Sequence, residues 1–166
     1  MIHEGLLLAR LVPGVLIAAH GAQKLFGWLG GYGIAGTGGF FEGLGFKPGR
    51  LFAGAAGLGE LAGGVLMALG LFGPVGPALV LAVMIVAMIA VHWSHGLFAT
   101  TNGIELPLLY AAVATALAVT GPGRYSLDAW LGLTTLATPA IQWIAIVAGI
   151  VGGVVALTLR RTTVAA

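Results

Sequence analysis

Cysteine is absent from this chain. Without a thiol of its own, the protein forms no disulfide, holds no iron–sulfur cluster and performs no thiol–disulfide relay. Charge is nearly as scarce. Asp, Glu, Lys and Arg together make up 7% of the residues, where a soluble domain carries about 25%. The formal net charge of +2 and the pI of 9.4 reflect that scarcity rather than a basic patch. Nucleic acid is therefore not an expected partner. The N-terminus does not read as a cleaved secretory leader. His3 and Glu4 stand ahead of the first apolar run, and no small-x-small site lies where cleavage would need it.

What remains is apolar. Hydrophobic residues make up 59% of the chain and the mean hydropathy is +1.07. This is the composition of an integral membrane protein. The 29 glycines are interleaved with Leu, Val and Ala, a pattern that lets helices approach closely in lipid. A length of 166 residues leaves room for one bundle and no separate soluble domain.

About 20 apolar residues cross the hydrocarbon layer. Five runs qualify: 5–29, 51–72, 75–93, 104–120 and 139–159. Gly73 and Pro74 stop the second run and force an antiparallel hairpin into the third. Segment 30–50 is glycine-rich but carries Tyr32, Phe40, Phe41 and Phe46 with Glu42, Lys47 and Arg50. That mixture suits an interfacial segment whose aromatics anchor at the headgroups. Segment 94–103 is a short polar loop. Segment 121–138 is a longer link with Tyr125 and Trp130 as expected anchors.

Five crossings place loops 30–50 and 94–103 and the C-terminal tail at one end of the bundle, the far end. The N-terminus lies at the near end. The far end carries Lys47, Arg50, Arg160 and Arg161, and the near end Arg124 with Arg10 close by. Lys and Arg accumulate on the cytoplasmic side, so a cytoplasmic C-terminus is expected.

One carboxylate breaks the second run. Glu60 stands near its middle, among Ala, Gly, Leu, Val, Met and Phe. A charge at that depth costs at least ~2.5–3.5 kcal/mol on insertion scales, so a partner or a task is expected for it. Gly59 and Gly63 flank it with small-xxx-small spacing, which points Glu60 toward a neighbouring helix. On the first run Arg10, His20 and Lys24 share an arc of about 80° at 100° per residue. From a 1.5 Å rise, His20 lies roughly 4–5 Å and Glu60 roughly 3 Å from the midplane, both toward the far end. Lys24 lies about 10 Å out on the same side. His20 and Lys24 are thus the expected partners of Glu60, and Arg10 belongs to the other half. The third run ends at the far end with His92 and His95, below a Met84-Met88-His92 ladder. The fourth begins there with Asn102 and Glu105.

Each residue has a plain alternative role. Lys24 can snorkel, His92 and His95 can be ordinary interfacial residues, and Glu105 can complement a helix dipole. For Glu60 the plain alternative is a purely structural ion pair with His20 or Lys24. Taken together, Glu60, His20, Lys24, His92 and Glu105 outline a polar intramembrane pocket, with Arg10, Asn102 and His95 as secondary members. Three His and two Glu could ligate a metal, but no tight motif such as HExxH is present and no metal is assigned. A buried Glu beside His and Lys can also exchange protons. That suits a quinone headgroup, which takes up protons on reduction, or a proton-coupled carrier.

The sequence resembles the DoxX family of small bacterial membrane proteins. The first run reads Arg10…His20-Gly21-Ala22-Gln23-Lys24-Leu25, like the family's Arg followed by His-Gly-x-x-Lys. The second has Gly59-Glu60 and later Gly70. Then come His92, Asn102-Gly103-Ile104-Glu105, and Gly121-Pro122-Gly123-Arg124-Tyr125-Ser126-Leu127-Asp128, similar to the family's closing Gly-x-Gly-x-Tyr-Ser-Leu-Asp. The resemblance covers roughly residues 6–130. It implies a four-helix bundle and a link to membrane oxidoreductases, since relatives named DoxD belong to thiosulfate:quinone oxidoreductases. Here the run at 139–159 departs from the four-helix pattern. Gly121 and Gly123 are expected to end the fourth helix and Asp128 to cap the segment after it.

The expected protein is all-α: a DoxX-like four-helix membrane domain over 1–130, with an interfacial segment at 30–50, and an additional transmembrane helix over 139–161. It is expected in the bacterial inner membrane, as a subunit that binds a quinone or similar small molecule and supports a redox enzyme, alone or as a homo-oligomer. A small-solute transporter and a non-catalytic interaction module are the alternatives.

Overall fold

The computed structural model describes residues 1–161. Its principal helices are α1 (Ile2–Phe26), α2 (Gly33–Gly43), α3 (Gly49–Leu69), α4 (Val75–Ala87), α5 (Glu105–Thr120), α6 (Leu127–Leu131) and α7 (Pro139–Thr158). No strand occurs among the described residues. The fold is an all-α membrane bundle. Among the described residues four helical stretches are long and apolar enough to cross a bilayer: Ile2–Phe26, Gly49–Leu69, Val75–His95 and Pro139–Thr158. The stretch from Val75 includes a π-helical turn, Met88–His92, and a 3₁₀ turn, Trp93–His95, that continue α4. α5, at 16 residues, is shorter, but it too runs between the two ends. The loop before it is hydrogen-bonded to the end of α4, through Ile104 N to Gly96 O at 3.0 Å. The link after it is bonded to Arg10 at the near end.

Glycine sets how these helices meet. α1 and α3 run antiparallel with their backbones in contact at two points. A Cβ on Gly14 would lie 2.8 Å from the carbonyl oxygen of Gly64, and one on Gly21 would lie 2.6 Å from that of Gly57. The two glycines of each helix are seven residues apart, two turns, so each pair shares a face. In lipid the hydrophobic effect does not drive helices together, and close backbone contact does much of that work. Gly63, on another face of α3, meets Gly76 O and Leu79 of α4. On α7, Gly149 and Gly153 sit against the carbonyl oxygens of Ala78 and Ala82 of α4. The fifth helix is therefore seated on α4 by its own small residues.

Two polar anchors close the near end. The buried Arg10 guanidinium donates to the carbonyl oxygens of Ala68 and Tyr125. This joins α1, the last turn of α3 and the link after α5. Asp128 accepts from the backbone N–H groups of Phe72, at 2.8 Å, and Gly73, at 2.6 Å. Ser126 rather than Asp128 caps α6, by accepting from Ala129 N at 3.2 Å. A carboxylate placed to cap its own helix is instead drawn to two donors left free by the turn between α3 and α4. Gly70 ends α3 in the left-handed region at φ 62°, where a side chain would be strained.

At the far end, α2 lies against α3. Arg160 Nε donates to Leu44 O at 2.5 Å and Arg161 N to Gly45 O at 2.8 Å. The end of α7 is thereby tied to the segment after α2.

Candidate functional site

Glu60 shares the α1-facing side of α3 with Gly57 and Gly64, three residues before it and four after. The contact at Gly21 and Gly57 brings α1 so close that a carboxylate one turn along α3 must meet α1. It meets Lys24. Lys24 Nζ lies 2.5 Å from Glu60 Oε2, with 5% of the Glu60 side chain and 27% of the Lys24 side chain exposed. Lys24 reaches past its own depth because helical Cα–Cβ bonds tilt toward the N-terminus. On α1 that direction leads from the far end back toward Glu60. His20 lies nearer Glu60 in depth, but its Nδ1 is 3.1 Å from Gln23 Oε1. The second Glu60 oxygen, Oε1, has no hydrogen-bond partner among the described residues.

The ion pair lies on the wall of a cavity of about 450 Å³. That volume falls within the range of small-molecule sites, which are largely apolar with a few convergent polar groups. Most of the wall here is apolar. Ile17 comes from α1, Phe40, Phe41 and Phe46 from α2 and the turn after it, and Phe52, Ala55 and Ala56 from α3. α4 contributes Val83, Met84 and Ala87, and α5 contributes Leu106 and Pro107. The polar lining consists of His20, Lys24, Glu60, His92 and Tyr110.

His92 ends the π-helical turn. The wider turn interrupts the regular Met84-Met88-His92 spacing, yet Met84 and His92 both line the cavity. A carbonyl can only accept, so His92 Nδ1 carries the proton it donates to Asn102 O at 2.7 Å. Nε2 is the ring nitrogen left for another partner. Asn102 thus acts through its backbone, held in the left-handed region at φ 64°.

The remaining predicted residues lie elsewhere. Glu105 Oε2 accepts from Ala99 N at 2.7 Å and steadies the far-end loop outside the cavity. His95 is exposed and bonds Val91 O at 3.0 Å. Arg10 belongs to the near-end anchor. Two contributions were not foreseen. Tyr110 stands in an apolar run with no polar neighbour to flag it. Phe41 and Phe46 are buried against the cavity, where composition alone suggested headgroup anchors; Phe40 borders it but, like Tyr32, is exposed. Among the described residues no three His, Asp or Glu side chains converge as a metal site would require.

A DoxX family model matches residues 5–93, the stretch that holds Arg10, His20, Lys24, Glu60 and His92. The chain belongs to the DoxX family. No curated protein and no solved structure matches it. In this DoxX protein the matched stretch supplies the ion pair and four helices of the cavity wall, α1 to α4. α5 and α7, beyond the match, supply the rest.

Proposed function

We propose that this DoxX protein binds a quinone or a closely similar amphiphilic molecule beside Lys24 and Glu60, and that it serves a membrane oxidoreductase as a subunit. One observation carries the reading: a single ion pair on the wall of a largely apolar cavity. An apolar ring finds van der Waals contact there, and its polar oxygens find only that pair and the nearby His and Tyr groups. Lys24 donates to a ring oxygen. Glu60 exchanges the proton that this oxygen gains when a partner enzyme supplies electrons and loses when the quinol is reoxidised. His20 and Lys24 set how readily Glu60 does so. The assignment of residues 1–130 to one family-like unit with 139–161 as an added helix belongs to the same proposal. So does an inner-membrane location with Lys47, Arg50, Arg160 and Arg161 facing the cytoplasm.

Binding of a decyl-substituted benzoquinone to the purified full chain tests the reading. We expect Glu60→Gln to weaken binding at least about tenfold, the loss of one charge-assisted hydrogen bond. Equal binding by both proteins sinks it. Solute flux in liposomes without quinone binding favours the transporter instead.

A further inference from the structure

The last helix, α7, carries three glycines, and packing accounts for only two. A Cβ on Gly149 would lie 2.7 Å from Ala78 O, and one on Gly153 would lie 2.8 Å from Ala82 O. Those two must be glycine for α7 to seat on α4. Gly152 is different. A Cβ there would meet nothing closer than Ala82 Cβ at 3.9 Å, an ordinary contact. Gly152 nevertheless lines the cavity, together with Ala156 one turn further on. Its lack of a side chain leaves cavity space and relieves no backbone clash.

The size of the cavity indicates what that space is for. A cavity of about 150 Å³ accommodates a benzene ring. The 450 Å³ here leaves room for much more than one ring. The polar groups lie on the walls from α1, α3, α4 and α5, whereas the lining from α7 is Gly152, Gly153 and Ala156. We propose that α7 is the specificity wall: Gly152 and Ala156 accommodate a hydrocarbon tail carried by the molecule whose polar end rests at Glu60. The ligand class is then a tailed quinone rather than a free ring. This inference rests on the reading of the cavity as a quinone site. α7 lies outside residues 5–93, the stretch that the family model matches.

The test uses the full chain in detergent with two probes, tetramethylbenzoquinone and a decyl-substituted benzoquinone. Gly152→Leu is expected to weaken the decyl probe by about tenfold or more, the loss of roughly two buried methylenes. The tetramethyl probe should stay within about threefold. Gly152→Ala should fall between wild type and Gly152→Leu. Unchanged affinity for the decyl probe, or equal loss for both probes, overturns the proposal. If Gly152→Leu lowers the unfolding temperature, Ala156→Leu narrows the same wall and decides by the same criteria. Wild-type protein that binds neither probe, or Glu60→Gln that binds both normally, overturns the quinone reading itself. The failure of the tail inference alone shows only in Gly152 and Ala156 variants of a protein that binds normally.

Discussion

Lys24 Nζ and Glu60 Oε2 lie 2.5 Å apart across the closest approach of α1 and α3. The pair is asymmetric, since Glu60 is buried and Lys24 keeps partial access to solvent-sized space. Removing one partner of a buried pair leaves an uncompensated charge, whereas removing both does not. Lys24→Met should therefore destabilise the protein by about 3 kcal/mol, the low end of the range because Lys24 is partly exposed. Adding Glu60→Gln to it should restore most of that loss. Unfolding in detergent measures both. Additive losses would show that the two groups do not act as a pair.

Gly21 and Gly5 lie on the same helix and should respond oppositely to alanine. A Cβ at Gly21 falls 2.4 Å from Leu61 N, whereas one at Gly5 meets nothing within 4 Å. Gly21→Ala should cost about 1–3 kcal/mol or more by forcing α1 and α3 apart. Gly5→Ala should be neutral or stabilising by up to about 1 kcal/mol from helix propensity. Equal melting temperatures for the two variants would contradict the close contact.

Asp128 holds two backbone donors at the turn after α3. Asp128→Ala leaves both without that acceptor, at an expected cost of about 3 kcal/mol. Asp128→Asn keeps one good acceptor and should lose roughly half as much. Because the anchor is at the near end, ligand affinity at the far-end cavity should change less than twofold in either folded variant, on the order of the coupling expected between distant sites. A selective loss of affinity would place Asp128 in the site instead.

Glu105 and His92 lie at the same end of the bundle but differ in their relation to the cavity. His92 lines it and Glu105 does not. Glu105→Gln should alter loop stability by about 1 kcal/mol and leave quinone affinity unchanged. His92→Ala should weaken affinity several-fold, roughly the worth of one hydrogen bond. Isothermal titration with the decyl probe distinguishes the two.

Much of this was legible in one dimension. Glu60 is conspicuous because a carboxylate amid Ala, Gly and Leu has few stable explanations in lipid. Depth counting brought Lys24 and His20 to its neighbourhood. It could not choose between them, because the choice depends on the direction of the Lys24 stem and on Gln23 holding His20. Glu105 was placed at the same end of the membrane, yet its carboxylate turned to a backbone N–H of the adjacent loop. The phenylalanines of segment 30–50 carried the composition of headgroup anchors, and only the seating of α2 and the turn after it against α3 turned Phe41 and Phe46 inward.

By itself the sequence determined the solvent of this protein, the number and rough limits of its apolar runs, and the presence of one costly intramembrane charge. Those follow from local composition, since lipid leaves a chain little choice but helices and makes an unpaired charge expensive. Tertiary structure decided which faces meet. Glycine is so frequent here that its spacing is compatible with many contacts. Backbone geometry selected Gly14 with Gly64 and Gly21 with Gly57, and so set Lys24 rather than His20 against Glu60. It also brought α7 to the cavity, a long-range juxtaposition that no local pattern in residues 139–161 records.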